Sequence, residues 1–412
     1  MVALLLSAPQ TRPLDAILDD ERLRGAIVAA RVEDAEGNVL FSRNDALRVM
    51  PASNQKLLTG AFALAQLGTA YRPVTKFWKA RGKIIIESPG DPLFRIDELR
   101  RAKSALRVSS RTPVYLVQAY RPGIPENWEV GDLPNKYAAP ISAFTVDRAS
   151  VTLVQQAGRL ELRPAAYGLR IVREGSEREP FAFRYDPFTR EVRYRGKPGT
   201  DFRSLDTLAL PDADQMAANF IGRYRPEPVE PPTREPDFTI MGGSLPEHLG
   251  NCLQPSDNNI AEHLLLMASK PAQGPATYPV ARRAIETWLT TTVGIERGDV
   301  RVDDGSGLSR HNLVTARAIT RLLRWCAEQP TRATWCANLA KPGVGTLSSR
   351  LEGIAFDGKT GSLDAVSALS GYVYAPNGRE YRMSLIMNHY RCATSDARAL
   401  QDEFVRAISS RS

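Results

Sequence analysis

Residues 53–67 read SNQKLLTGAFALAQL, and this stretch decides how the rest of the chain is interpreted. Its apolar residues cover nearly every helical face and Gly68 follows it, which predicts a buried central helix with Ser53 at its start. Ser53 and Lys56 form an S-x-x-K pair, whose three-residue spacing places the amine on the same helical face as the hydroxyl. Serine becomes a strong nucleophile when a neighbouring base takes its proton. Taken alone, however, the pair is better explained by an N-cap serine beside a solvated lysine.

A second candidate motif is Ser256-Asp257-Asn258, which precedes the apolar helical stretch that starts at Ile260. The serine hydroxyl can relay a proton between a base and a leaving amine, and the asparagine amide can hold a lysine and a substrate amide in register. Serine, aspartate and asparagine are also favoured helix caps, and for this motif alone capping is the stronger interpretation.

A third candidate motif is Lys359-Thr360-Gly361, which follows Asp357-Gly358 and enters a predicted strand toward Val366. Its lysine would supply a fixed positive charge for a substrate carboxylate, and its threonine a hydroxyl donor. The glycine would let a substrate lie against the backbone. The alternative is a turn with a surface lysine.

The segments around these motifs predict a sheet flanked by helices and interrupted by an insertion. Residues 25–42 predict a β-hairpin, and residues 365–375 and 382–389 predict a second antiparallel pair around Pro376-Asn377-Gly378. Helices are predicted at residues 259–269, 279–291 and 315–328. We therefore expect one domain of a sheet flanked by helices, built from residues 1–72 and 238–412, and an inserted β-rich domain from 73–237 that closes with the proline-dense stretch 225–236.

Composition narrows the range of partners. The chain has 412 residues, a net charge of +8 and a pI near 9.3, and it contains no stretch of roughly 18 apolar residues that would predict a membrane helix. The charge favours anionic partners, but the basic residues are scattered and form no nucleic-acid-binding motif, so we expect no nucleic-acid partner. Without a C-x-x-C pair we also expect no metal site. Disulfides and buried thiols both remain open for Cys252, Cys326, Cys336 and Cys392, with Cys326 and Cys336 nearest in sequence.

The first eight residues, Met1 to Ala8, are apolar and end in Leu-Ser-Ala, like the tail of a secretory signal, but they lack a basic n-region. Either a longer signal precedes them or they form a loose N-terminus. An extracytoplasmic or periplasmic location is therefore an expectation from function.

The order S-x-x-K, S-D-N, K-T-G is the motif set of class A β-lactamases and penicillin-binding proteins. The chain resembles the D-alanyl-D-alanine carboxypeptidase/endopeptidase family, the class C low-molecular-mass penicillin-binding proteins. Residues 256–265, 304–312, 358–363 and 366–373 are similar to that family as well, and 90–92, 131–134 and 139–143 are similar to its inserted domain. The resemblance implies a β-lactamase/transpeptidase-like α/β fold with an insertion after the S-x-x-K helix. Since the region between motifs is short for the family, a reduced accessory domain is expected.

The resemblance also implies a role for each motif residue. Ser53 would be acylated with Lys56 as the base, and Ser256 and Asn258 would transfer protons and position substrate. The substrate would be bound by Lys359, Thr360, Gly361 and Ser362, and the oxyanion by the backbone N–H groups of Ser53 and Ser362. No cofactor is implied. The expected partners are peptidoglycan stem peptides ending in D-Ala-D-Ala, with β-lactams as covalent inhibitors, while peripheral membrane contact and the oligomeric state stay open.

Two other functions are compatible with the motifs. A β-lactamase-like hydrolase would share the acylation step but add fast deacylation, and no glutamate at a recognisable deacylation motif stands out between Asn258 and Lys359. A non-catalytic module that binds the cell wall or senses β-lactams would keep the fold, although a pure binder has no need of Lys56.

Overall fold

The computed structural model describes residues 12–165, 168–269 and 274–411, so the apolar segment Met1 to Ala8 lies outside the described residues. The chain forms two compact units. Unit 1 comprises Met1–Ala61, Leu249–Ser256 and Ile285–Ser412, and unit 2 comprises Phe62–His248 and Asp257–Ala284. The domain boundaries predicted at residues 72 and 237 do not coincide with the limits of these compact units. The first segment of unit 1 ends at residue 61, and unit 2 also includes residues 257–284. The predicted domain boundaries stay a prediction.

The described part of the chain contains α-helices in both units. They are α1 Leu14–Leu18, α2 Gln55–Leu67, α3 Ile96–Leu106, α4 Ala213–Ile221, α5 Leu245–Leu253, α6 Asn258–Ser269, α7 Tyr278–Trp288, α8 Ala316–Glu328, α9 Arg332–Asn338 and α10 Thr394–Ser409.

The strands of the described residues form five sheets. They are β1 Ile27–Glu33, β2 Val39–Arg43, β3 Val74–Ala80, β4 Lys83–Ser88, β5 Pro113–Gln118, β6 Ser150–Gln156, β7 Arg159–Arg163, β8 Arg170–Arg173, β9 Ala182–Asp186, β10 Glu191–Arg195, β11 Arg203–Ala209, β12 Arg223–Arg225, β13 Phe238–Met241, β14 Val300–Arg301, β15 Leu313–Val314, β16 Ala355–Leu363, β17 Val366–Tyr374 and β18 Glu380–Asn388.

Unit 1 is built on a five-stranded antiparallel sheet with the order β16-β17-β18-β1-β2. Both predicted hairpins are present in it, β1–β2 and β17–β18, the second closed by a turn with Gly378 at φ +83°. Helices α1 and α10 pack against one face of the sheet, where the α10 side chains Leu400, Phe404 and Ile408 are buried. Because side chains alternate along a strand, Tyr372 points to the other face, where its hydroxyl donates to the Leu323 carbonyl of α8 at 2.7 Å. Helices therefore cover both faces of the sheet.

The predicted central helix is present, with one difference at its start. Residues Ala52–Asn54 form a 3-10 turn, and α2 continues from Gln55 to Leu67. Leu57 and Leu58 are fully buried in it, as expected for a helix that is apolar on nearly every face. Ser53 thus lies on the tight turn that leads into the helix.

The K-T-G motif is not where the sequence placed it. Lys359 to Gly361 lie inside their own strand, β16, at one edge of the sheet, and β16 turns into β17 through Asp364 and Ala365. Ala365, the second residue of this two-residue turn, takes a left-handed φ of +55°. Because alanine is not a favoured turn residue, the sequence did not separate these two strands.

Unit 2 contains a five-stranded mixed sheet with the order β12-β5-β4-β3-β13 and two three-stranded sheets. Helices α3 and α4 bury an apolar face against the five-stranded sheet. The sequence analysis missed both helices, although the buried residues Leu99, Ala102 and Leu106 of α3 follow helical spacing. The proline-dense stretch runs irregularly between β12 and β13, and the Arg234 carbonyl in it accepts a bond from the Trp78 indole at 2.9 Å.

Candidate active site

The nucleophile and base predicted from the S-x-x-K pair are in contact. Lys56 Nζ donates to Ser53 Oγ at 2.9 Å, and the lysine side chain is fully buried. The same amine donates to the Ser306 carbonyl at 2.8 Å. A buried amine held by two acceptors has little freedom to rotate, so its position relative to the serine hydroxyl is fixed.

The loop of residues 303–312 supplies that second acceptor. Asp304 is fully buried and its carboxylate accepts from the backbone N–H groups of Gly307 and Ser309, both at 2.7 Å. Gly307 has φ +83°, and a Cβ there would lie 1.9 Å from the Ala52 carbonyl oxygen. Only glycine therefore allows this loop to lie directly against the turn that carries Ser53. The sequence analysis noted residues 304–312 only for their similarity to the family, and the bond of Ser306 to Lys56 is a tertiary contact without a local signal.

A second hydrogen bond between a lysine amine and a serine hydroxyl joins the K-T-G motif to the serine of the S-D-N motif, both within unit 1. Lys359 Nζ donates to Ser256 Oγ at 2.8 Å and to the Thr360 carbonyl at 2.9 Å. Lys359 is fully buried, and this burial, reinforced by the positive charge of Lys56, holds the pKa of Lys359 well below its ordinary value. The amine expected to meet a substrate carboxylate is thus directed at Ser256.

Strand β16 approaches the serine turn through Gly361. A Cβ on Gly361 would lie 3.0 Å from the Ser53 backbone nitrogen and 2.8 Å from the Pro51 carbonyl oxygen, so a side chain there would push the strand away. Gly361 therefore lets the K-T-G strand lie against the turn that carries Ser53, while its contact with a substrate stays a prediction.

β16 is an edge strand, and in the half that contains the motif no strand of the described residues pairs with its outer side. Gly358 pairs outward with Ala340, and in an antiparallel sheet every second residue directs its N–H and C=O to the same side. Thr360 and Ser362 therefore direct their backbone groups outward too. The Thr360 hydroxyl donates to Thr346 Oγ1 at 2.7 Å, and the exposed Ser362 hydroxyl accepts from Arg398 at 3.2 Å.

Asn258 is the predicted site residue that belongs to the other compact unit. It begins α6, two residues after Ser256, and its side-chain amide donates to the Tyr137 carbonyl at 3.1 Å. The neighbouring Asp257 accepts from the backbone of Ile260 at 3.0 Å, as a helix cap does. Unit 1 thus brings together Ser53, Lys56, Ser256, Lys359 and the Thr360–Ser362 edge, while the catalytic role of Asn258 stays a prediction.

The structure leaves the four cysteines unbridged. None of them forms a disulfide, and Cys252 and Cys326 are buried. Within residues 12–165, 168–269 and 274–411, no group of three His, Cys, Asp or Glu side chains is arranged to hold a metal ion.

In the same ranges, no helix is long and apolar enough to cross a bilayer.

A helix-flanked antiparallel sheet, with a serine bonded to a buried lysine beside an edge strand, defines the class of serine acyl-transfer enzymes that use lysine as their base. The sequence model of the D-Ala-D-Ala carboxypeptidase 3 (S13) family matches residues 10–162 and 242–410. The chain belongs to this family and is a hydrolase, which confirms the predicted resemblance and enzyme class.

Curated relatives agree with that assignment. The chain is 29% identical to the D-alanyl-D-alanine carboxypeptidase of Actinomadura sp. (strain R39) over 91% of its own length and 80% of the relative's. It is 26% identical to a carboxypeptidase of Mycobacterium tuberculosis over 88% of its own length and 76% of the relative's.

Solved structures show the same fold. Penicillin-binding protein 4 of Haemophilus influenzae superposes with a TM-score of 0.81 at 20% identity, over 96% of this chain and 98% of that one. A predatory endopeptidase of Bdellovibrio bacteriovorus superposes with a TM-score of 0.53 at 16% identity, over 93% and 92%. The predicted fold class, a sheet flanked by helices in the transpeptidase-like arrangement, is confirmed.

Proposed function

We propose that the enzyme cleaves the D-Ala-D-Ala bond of peptidoglycan stem peptides through an ester on Ser53. The observation that carries this proposal is the 2.9 Å bond between Lys56 Nζ and Ser53 Oγ at the turn that Gly361 of the edge strand approaches. An extended peptide can add to the open edge of β16 as a further strand, which places its backbone carbonyl beside the serine hydroxyl.

The first step is acylation. Lys56, in its neutral form, takes the Ser53 proton as Oγ attacks the carbonyl carbon of the penultimate D-Ala. The outward-directed N–H of Ser362 and the N–H of Ser53 stabilise the oxyanion. When the C–N bond breaks, the Ser256 hydroxyl gives its proton to the leaving amine and takes up the proton that Lys56 holds, which leaves Lys56 neutral for the next step. Lys359 holds that hydroxyl in place with its 2.8 Å bond. D-Ala departs and leaves an ester on Ser53.

The second step is deacylation. Water, deprotonated by the same base, attacks the ester carbonyl, the C–Oγ bond breaks, and Ser53 regains its proton while the shortened peptide leaves. A β-lactam opened by Ser53 would form the corresponding ester. Because its ring-opened leaving group stays attached and blocks the approach of water, penicillins are expected to act as covalent inhibitors.

The location and the wider substrate range follow from the same proposal. Stem peptides lie outside the cytoplasmic membrane, so we infer a periplasmic or other extracytoplasmic location. A D,D-cross-link presents the same bond as the terminal D-Ala-D-Ala, so endopeptidase action on cross-links is included in the proposal. The structural likeness to an endopeptidase supports only the shared fold.

The test is release of D-Ala from an acyl-L-Lys-D-Ala-D-Ala tripeptide. The wild-type enzyme is expected to release D-Ala, Ser53→Ala to release none, and the control Ser110→Ala, at an exposed serine, to behave as wild type. Full activity in Ser53→Ala would overturn the proposal. Rapid repeated hydrolysis of penicillin without D-Ala release would support a β-lactamase-like enzyme, and peptidoglycan binding with neither reaction a non-catalytic module.

A further inference from the structure

The guanidinium of Arg398 lies at the substrate end of β16. Arg398 is exposed on α10, and its Nη2 donates to the Ser362 hydroxyl at 3.2 Å. Ser362 directly follows Gly361, the residue that approaches Ser53. A cation of unit 1 is therefore fixed next to the residue whose backbone N–H is proposed to bind the oxyanion.

Arg398 has no acidic partner in the described ranges. Neighbouring carboxylates are already paired with other arginines: Asp402 with Arg350 at 2.7 Å, and Asp364 with Arg310 at 3.7 Å. A planar guanidinium that donates to only one neutral hydroxyl keeps several N–H donors for a carboxylate, which it binds in a two-pronged geometry.

Lys359, to which the sequence analysis assigned a substrate carboxylate, does not lie beside the Ser362 hydroxyl. Lys359 is fully buried, and its amine donates to Ser256 and to the Thr360 carbonyl. Side chains two residues apart on a strand share a face, so Thr360 and Ser362 direct their hydroxyls to one side of β16 and Lys359 points to the other. Arg398 is an accessible cation on the Ser362 side.

We propose that Arg398, oriented by the Ser362 hydroxyl, binds the α-carboxylate of the residue that leaves, and so makes the enzyme selective for a free carboxylate next to the scissile bond. This inference rests on the proposed function, since it names the part of the substrate that the β16 edge recognises. It assigns Arg398 to specificity and leaves the bond-making steps to Ser53 and Lys56.

The experiment compares two substrates that differ only at this carboxylate, acyl-L-Lys-D-Ala-D-Ala and its C-terminal amide. We expect the wild-type enzyme to prefer the acid, and Arg398→Gln to lower kcat/KM for the acid by about 10- to 100-fold, the usual effect of losing a hydrogen bond to a charged group. The amide rate should stay within about two-fold, because the amide offers the guanidinium neither a negative charge nor two acceptor oxygens for a bidentate pair. Arg398→Lys, which keeps the charge and loses the fork, should recover part of the preference.

Arg406→Gln is the matched control, because it removes the same charge from an exposed position further along α10. It should leave the acid-to-amide ratio unchanged. An unchanged ratio in Arg398→Gln would overturn the inference, and so would an equal loss for both substrates. Failure of the proposed function itself would look different, because the wild-type enzyme would then hydrolyse neither substrate and form no ester on Ser53.

Discussion

Lys359 is fully buried, so the role proposed for it in the reaction is an indirect one. Its amine has two acceptors, and desolvation together with the positive charge of Lys56 lowers its pKa. A group in this position cannot reach solvent, so it acts through Ser256, whose hydroxyl it holds at 2.8 Å. Ser256 is itself fixed by an unusual left-handed backbone with φ +67°. This strain at a non-glycine residue is consistent with a position constrained by function.

The role of that hydroxyl is testable by removing it. Ser256→Ala is expected to slow acylation of Ser53 by penicillin about 10²- to 10⁴-fold, the usual contribution of a positioned proton relay. Ser256→Gly should be equally slow, because it removes the left-handed strain and the hydroxyl together. Both rates are measured by quenched-flow labelling, with thermal unfolding to confirm a folded protein. Wild-type rates in both variants would show that the leaving group gets its proton elsewhere.

At the residue scale, the sequence predicts a contact between two site residues when they are close together in the chain. Ser53 and Lys56 are one helical turn apart, so local geometry alone predicts their contact. Ser256 and Lys359 are separated by 103 positions, and only the fold brings them together. Arg398 gave no signal in the sequence, because an arginine on an amphipathic helix is ordinary until a strand end lies beside it.

At the scale of elements, the active site depends on close backbone approaches. The loop that holds Lys56 and the strand that carries K-T-G both contact the serine turn through a glycine, at Gly307 and Gly361. The sequence predicted the hairpins of unit 1, because turn residues separate their strands and Gly378 marks one of the turns. It missed the β16–β17 turn, whose second residue is an alanine. It also missed the helices α3 and α4, because the β-rich composition around them concealed short helical patterns.

The loop contact makes a prediction about stability. Gly307→Ala places a Cβ at φ +83° and 1.9 Å from the Ala52 carbonyl oxygen, so the loop must move. Gly68→Ala is the matched control, because Gly68 has φ +78° but nothing within 4 Å. The control should lose about 1 kcal/mol of unfolding free energy, and Gly307→Ala about 3 kcal/mol or more together with its acylation activity. Equal losses in denaturant unfolding would contradict the account of the close approach.

At the scale of the whole molecule, the two compact units carry different buried polar groups. Unit 1 holds the serine and lysine residues of the reaction, whereas unit 2 buries His263, whose Nδ1 lies 2.6 Å from the Tyr120 hydroxyl. The sequence predicted an interrupted transpeptidase-like fold from the order of the motifs. It did not indicate that residues 257–284 would group with unit 2, because that choice depends on contacts between distant segments.

The buried histidine predicts how stability depends on pH. Burial lowers the pKa of His263 to about 3, against about 6.5 in an unfolded chain. Between these values the unfolded state binds a proton that the folded state does not, so stability falls as the pH drops from about 6.5 toward 3, by up to several kcal/mol.

His263→Asn should flatten this part of the stability profile in urea unfolding at a series of pH values. His389→Asn is the control, since His389 is exposed and its left-handed backbone suits asparagine. An unchanged acid slope in His263→Asn would show that other groups set the acid limit.

The central claim is that a lysine-activated serine at position 53 forms the covalent intermediate. Mass spectrometry of the protein after a short exposure to benzylpenicillin tests it most directly. We predict one added penicillin per chain, located by peptide mapping on the fragment that contains Ser53 and absent from Ser53→Ala. An adduct on another residue, or the same adduct in Ser53→Ala, would contradict the account.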